Sequence, residues 1–95
     1  MIYLHVWLKV KDPTDVDVVR ELLAEQGRLS RAEQGCRRFE VYQSQNDATR
    51  FLLAERWESQ AALDTHRLGK AYTEIYQPRV LPRVDREPHP SILVE

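Results

Sequence analysis

From Ile2 to Val10 the chain alternates without a break: aliphatic residues fill the even positions, while Tyr3, His5, Trp7 and Lys9 fill the interior odd ones. A period of two puts the two sets on opposite faces of a strand. The even face is plain core. The odd face is aromatic and amphipathic, suited to closing against a partner or lining a ligand cavity rather than lying in water.

The period then changes. Asp12-Pro13-Thr14-Asp15 reads as a helix start, with an acceptor at the cap, proline where no N–H is needed and acids facing the positive end of the helix dipole. Val16, Val19, Leu22, Leu23, Gln26 and Leu29 or Ser30 follow helical spacing and predict one apolar stripe, ending near Glu33 before Gly35. Gly27 costs about 1 kcal/mol relative to alanine inside a helix and predicts a bend or close packing.

Cys36–Gln43 and Arg50–Trp57 are strand-length runs separated by the polar cluster Ser44–Thr49, a β-hairpin signal. Ser59 stands where its hydroxyl can cap a short helix that Gly69 would close with a positive φ. Ala71, Tyr72, Ile75, Tyr76 and Val80 resume helical spacing, but Pro78 predicts a kink or end near Gln77. Pro82, Pro88 and Pro90 limit the tail to short extended pieces, 83–87 and 91–94, at a sheet edge or against another subunit. The order β-α-β-β-α-β predicts an α+β, ferredoxin-like unit, an antiparallel sheet with helices on one face.

At 95 residues, 42% of them hydrophobic, the chain is expected to form one domain over 1–95. So small a unit, covered by helices on one face only, leaves its other face needing a partner. Fourteen basic and fifteen acidic residues give a net charge of −1, with the arginines dispersed, so no nucleic-acid footprint is expected. Cys36 is the single cysteine, which excludes an internal disulfide and fits the cytoplasm. The first strand is too short to span a bilayer and has neither a basic leader nor a cleavage pattern, so no signal or membrane segment is expected.

Residues 34–41 (Gln-Gly-Cys-Arg-Arg-Phe-Glu-Val), 50–59 (Arg-Phe-Leu-Leu-Ala-Glu-Arg-Trp-Glu-Ser) and 62–66 (Ala-Leu-Asp-Thr-His) together resemble the antibiotic biosynthesis monooxygenase domain. The likeness lies in a glycine-led strand with Arg-Phe-Glu, a strand ending in Glu and an aromatic, and a histidine on the next helix. It implies a homodimer, a dimeric α/β barrel with one cavity per subunit between sheet and helices. The family spans quinol monooxygenases that use neither metal nor flavin, haem-degrading oxygenases and a sugar-phosphate isomerase, so membership alone names no substrate.

His66 shares a helical face with Ala62 and Leu63 and can turn its imidazole toward the sheet, where it suits a general base at neutral pH. The alternative is a histidine that only ties helix to strand. Glu55, between Leu53 and Trp57, needs a partner if buried, and His66 and Arg38 are the candidates. It would orient His66 for chemistry, or form a structural ion pair. His5 and Trp7, with Trp57 and Tyr72, could wall a cavity for a planar ring, or serve as core and dimer contacts. His89 is expected in solvent, Cys36 as a small packed residue, and the scattered histidines give no metal-ligand spacing.

These readings converge, through the resemblance, on a homodimeric oxygenase with no cofactor, taking a small aromatic quinol or polyphenol and O2. His66 would be the base, Glu55 its partner, and His5, Trp7, Arg38, Trp57 and Tyr72 the substrate contacts. His5 stays open as an alternative base. A haem-binding or haem-degrading relative and a non-catalytic ligand-binding dimer are the rival readings.

Overall fold

The alternation in β1 (Ile2–Val10) buries Leu4, Val6, Leu8 and Val10, and these residues set the floor of the core. The structure is a computed structural model describing Met1–Glu95. After β1 come helix α1 (Val16–Arg31), strands β2 (Cys36–Gln43) and β3 (Arg50–Trp57), helix α2 (Gln60–His66), a third helix α3 (Ala71–Val80) and strand β4 (Val84–Ser91). The strands form one antiparallel sheet in the order β2-β3-β1-β4, the α+β ferredoxin-like topology expected from the sequence.

Cross-strand register aligns Leu4 with Glu55, Val6 with Leu53 and Leu8 with Phe51, so odd residues of β3 share the helix-covered face with even residues of β1. On them lie Val19, Leu22 and Leu23 of α1, Leu63 of α2, and Ile75, Tyr76 and Val80 of α3. Burying each such side chain contributes roughly 1.5–3 kcal/mol. The other face carries rows Tyr3–Arg56–Arg38, His5–Ala54–Glu40 and Trp7–Leu52–Tyr42. It has no helix over it, and Trp7 is 37% and Tyr42 47% exposed.

Asp12 caps as expected, accepting from Thr14 N–H at 3.0 Å, but it caps a single 3-10 turn, Pro13–Asp15, that leads into α1. Gly27 produces close packing inside an unbroken helix: a Cβ there would lie 3.5 Å from Val41 and 3.8 Å from Phe39. α1 ends at Arg31, slightly before Glu33.

Three local expectations are corrected. The left-handed glycine is Gly35, with φ +84°, and not Gly69. Gly69 instead provides room, since a Cβ there would sit 2.9 Å from Glu33 Oε2 and 3.3 Å from the His66 carbonyl. Pro78 does not end α3: the helix continues to Val80 with a π winding, and the Leu81 N–H reaches back five residues to the Tyr76 carbonyl. A wider turn loosens the i to i−4 contact that makes proline disruptive in an α-helix. The tail is one strand, 84–91, rather than two pieces, and it pairs with β1 of its own chain. Lys11 N–H donates to the Arg83 carbonyl at 2.9 Å, so odd positions of β4 bond inward and Pro88 and Pro90 fall on the outward-facing set. Their missing N–H groups therefore cost the sheet nothing.

Candidate functional site

Ser59 Oγ accepts from Ala62 N–H at 3.1 Å and starts α2, whose two turns carry Leu63 and His66 down toward the sheet. His66 is 4% exposed. Its ring lies 4.3 Å from that of Trp57 at 34°, with Phe39 at 5.9 Å and Tyr72 edge-on at 5.8 Å. Nδ1 is 2.5 Å from Glu33 Oε1. A carboxylate only accepts, so Nδ1–H donates to Glu33, and Nε2 is left as the nitrogen with a free lone pair.

Glu55 is the second acid at the site. It is 6% exposed, and its Oε1 accepts Trp57 Nε1–H at 3.0 Å. Burial pushes its pKa up from the ordinary glutamate value, against the opposing pull of the Trp57 bond and the electrostatic influence of His66, Arg86 and Arg67. Glu55 is thus biased toward the neutral, proton-bearing form. Tyr76 OH accepts from Arg86 Nε at 2.9 Å, and burial pushes its phenol up to about 12 although Arg86 works the other way.

These groups meet at one cavity between sheet and helices, lined by Glu55, His66, Tyr72, Tyr76, Arg86 and Gln26, with Leu4, Leu63 and Arg67 completing the wall. Its volume is about 10 Å³. That is room for roughly one water, against about 150 Å³ for a cavity that admits benzene. An aromatic ligand enters only if wall side chains move, and Tyr72 and Tyr76 both belong to the π-wound α3, the type of helix often found at functional sites.

The structure brings together His66, Glu55, Trp57 and Tyr72 of the sequence-derived set. It separates His5, Trp7 and Arg38 from them. All three stand on the open face of the sheet, because odd residues of β1 and, beyond the register shift between Cys36 and Arg38, even residues of β2 face away from the helices. His5 Nδ1 bonds Ser91 Oγ at 3.0 Å, and Arg38 pairs with Glu40 at 2.7 Å, so neither shares the His66 cavity. Nor is Glu55 the carboxylate hydrogen-bonded to His66. That is Glu33, in the turn after α1, with Gly69 leaving it space. Sequence reasoning also passed over Gln26, Tyr76 and Arg86 as site residues, although the polar Gln26 inside an apolar stripe was a visible signal. No three His, Cys, Asp or Glu side chains gather as a metal-ligand set, and no helix is long and apolar enough to cross a membrane.

Solved structures share this fold. A conserved protein of unknown function from Bacteroides thetaiotaomicron VPI-5482 superposes with a TM-score of 0.87 at 20% identity, over 95% of this chain and 94% of its own. A crystal structure of an antibiotic biosynthesis monooxygenase gives 0.86 at 23% identity, over 98% and 99%. Rv0793 from Mycobacterium tuberculosis gives 0.82 at 27% identity, over 100% and 98%. No curated protein matches the chain. The family model for antibiotic biosynthesis monooxygenase matches residues 1–77, a stretch that contains Glu33, Glu55, Trp57, His66 and Tyr72, and the chain belongs to that family.

Proposed function

We propose that the protein is a monooxygenase that oxidises a quinol or related hydroxylated arene with O2 and without a cofactor. The observation that carries the reading is the meeting, at one buried cavity, of a carboxylate-held imidazole and a second carboxyl biased toward its neutral form. His66 Nε2 takes the phenolic proton. The resulting anion passes one electron to O2, and the radical pair recombines as a peroxide anion on a ring carbon that carries hydrogen; the peroxide takes back the proton held by His66. Nε2 then removes the hydrogen of that carbon as the O–O bond breaks, Glu55 protonates the departing oxygen so that water leaves and a carbonyl remains, and His66 returns its proton to Glu55. One substrate and one O2 thus yield one ketone-level product and one water, with Glu33 holding the imidazole and Trp57 and Tyr72 excluding water.

The homodimer belongs to the same proposal. It is supported by the helix-free sheet face bearing Tyr3, His5, Trp7 and Tyr42. A cytoplasmic setting rests on the lone, half-buried Cys36 thiol.

The cavity volume favours one other reading, a non-catalytic small-ligand module whose site stays closed to rings. Oxygen consumption decides between them. With anthrones and reduced naphthoquinones, the parent protein is expected to consume one O2 per substrate, and His66→Ala to lose about 10²- to 10⁴-fold in rate. No turnover by the parent gives precedence to the binding module, full activity in His66→Ala removes His66 from the chemistry, and a Soret shift on adding haem points to the haem-degrading branch.

A further inference from the structure

Gln26 is the one long polar side chain in the inward stripe of α1, between Leu23 and Gly27, and it is 1% exposed. Its Oε1 has no hydrogen-bond donor. The stripe's other polar member, Ser30, lines no part of the cavity; Gln26 does, alongside Glu55, His66, Tyr72, Tyr76 and Arg86. A buried amide oxygen without a donor is disfavoured, and hydrocarbon of similar shape would pack at that position without the penalty. A polar atom kept there, beside a space the size of one water, is what a ligand donor would satisfy.

We infer that Gln26 is a specificity-determining residue: its Oε1 accepts a hydrogen bond from a second hydroxyl on the aromatic ligand, the first being the one deprotonated at His66. This deepens the oxygenase reading and rests on it. Of the buried side-chain nitrogen and oxygen atoms without a hydrogen-bond partner, only Gln26 Oε1 belongs to a residue that lines the cavity. Glu55 Oε1 takes the Trp57 N–H, the Tyr76 hydroxyl takes Arg86 Nε, and His66 Nδ1 is bonded to Glu33. Gln26 Oε1 is left to read a ligand O–H. The class selected is an arene with two hydroxyl groups rather than a monophenol. A site built to receive a hydroxyl discriminates strongly against the analogue lacking it, because the acceptor is then left unpaired.

The test is anaerobic titration calorimetry of the full chain with 1,4-naphthalenediol and with 1-naphthol, on the parent and on Gln26→Leu and Gln26→Met. The parent is expected to bind the diol about tenfold or more tightly than the monophenol, and both variants to bind the two alike. Thermal melts of both variants should match or exceed the parent, since an unpaired buried amide has been removed. Equal binding of the two ligands by the parent, a preference that survives in both variants, or binding of neither ligand by the parent overturns the assignment. So does a melting point lowered by roughly 10 °C or more in both variants, which would make Gln26 part of the fold. Binding selectivity lost with Gln26 while no oxygen is consumed is a separate outcome: it defeats the oxygenase reading and leaves Gln26 as the selector of the ligand.

Discussion

Gly35→Ala tests how the turn after α1 is held against the helix that carries His66. Gly35 has φ +84°, a left-handed conformation that costs an L-residue about 1–2 kcal/mol. Its new Cβ would also stand 2.6 Å from the Ala62 Cβ, in the first turn of α2, where backbone has to give way. Overpacking of this kind costs about 1–3 kcal/mol. The expected loss is therefore about 2–5 kcal/mol, a large part of the roughly 5–15 kcal/mol of a typical domain. With a urea slope of about 1.5 kcal/mol/M, the midpoint should fall by roughly 1.5–3 M. Ala62→Gly separates the two causes. Alone it costs up to about 1 kcal/mol as a helix glycine, but combined with Gly35→Ala it should recover the steric share, a coupling of about 1–3 kcal/mol. A single-variant loss below about 0.5 kcal/mol, or a coupling indistinguishable from zero, would refute the close approach of turn and helix.

Further outcomes concern Glu55, Cys36 and assembly. Because burial raises the Glu55 pKa, the native state holds its proton more tightly than the unfolded chain; its stabilising share is full below the ordinary glutamate value of 4.5 and declines as pH rises through the elevated native value. Glu55→Gln keeps an acceptor for Trp57 Nε1–H, so urea midpoints measured from pH 4 to 8 should show the variant gaining on the parent as pH rises; an unchanged difference counts against the assignment. Burial and the neighbouring Glu33 raise the Cys36 thiol from 9.0 to about 11. Its thiolate fraction at pH 8 should be about 100-fold below that of an unperturbed thiol, and alkylation by iodoacetamide should be slower to match, with a rate equal to free cysteine as the contrary result. Light scattering at micromolar concentration should give a dimer, with Trp7→Glu shifting it toward monomer, and a monomeric parent would remove the reason for the aromatic open face.

The frame of the fold was legible because each of its signals is local. The alternation of β1, the Asp12-Pro13 start, the Ser59 cap and the hairpin spacing each depend on a few adjacent residues, and the elements fall close to where those residues put them. The site was legible only in part. Parity already assigned Leu4 and Val6 to the core and His5 and Trp7 to the opposite face, so a cavity drawing on His5, Trp7 and His66 together conflicted with the strand period. Glu33 could not be reached in that way: it lies 33 residues from His66 in an irregular turn, and only tertiary packing brings them together. The glycines show the same division. Gly69 looked like a helix terminator, but its lack of a side chain accommodates Glu33, a role visible only once the distant carboxylate is in place.

The outward edge of β4 sets a limit on how molecules of this protein can join. A strand laid along it by another chain would look for donors at Val84, Arg86, Pro88 and Pro90, and would find an N–H only at the first two, one of them beside a charged side chain. Continuous strand-to-strand extension thus fails after a single turn of the ladder. Fibrillar stacking through this edge is discouraged by covalent structure alone, at any concentration and regardless of what covers the sheet's open face.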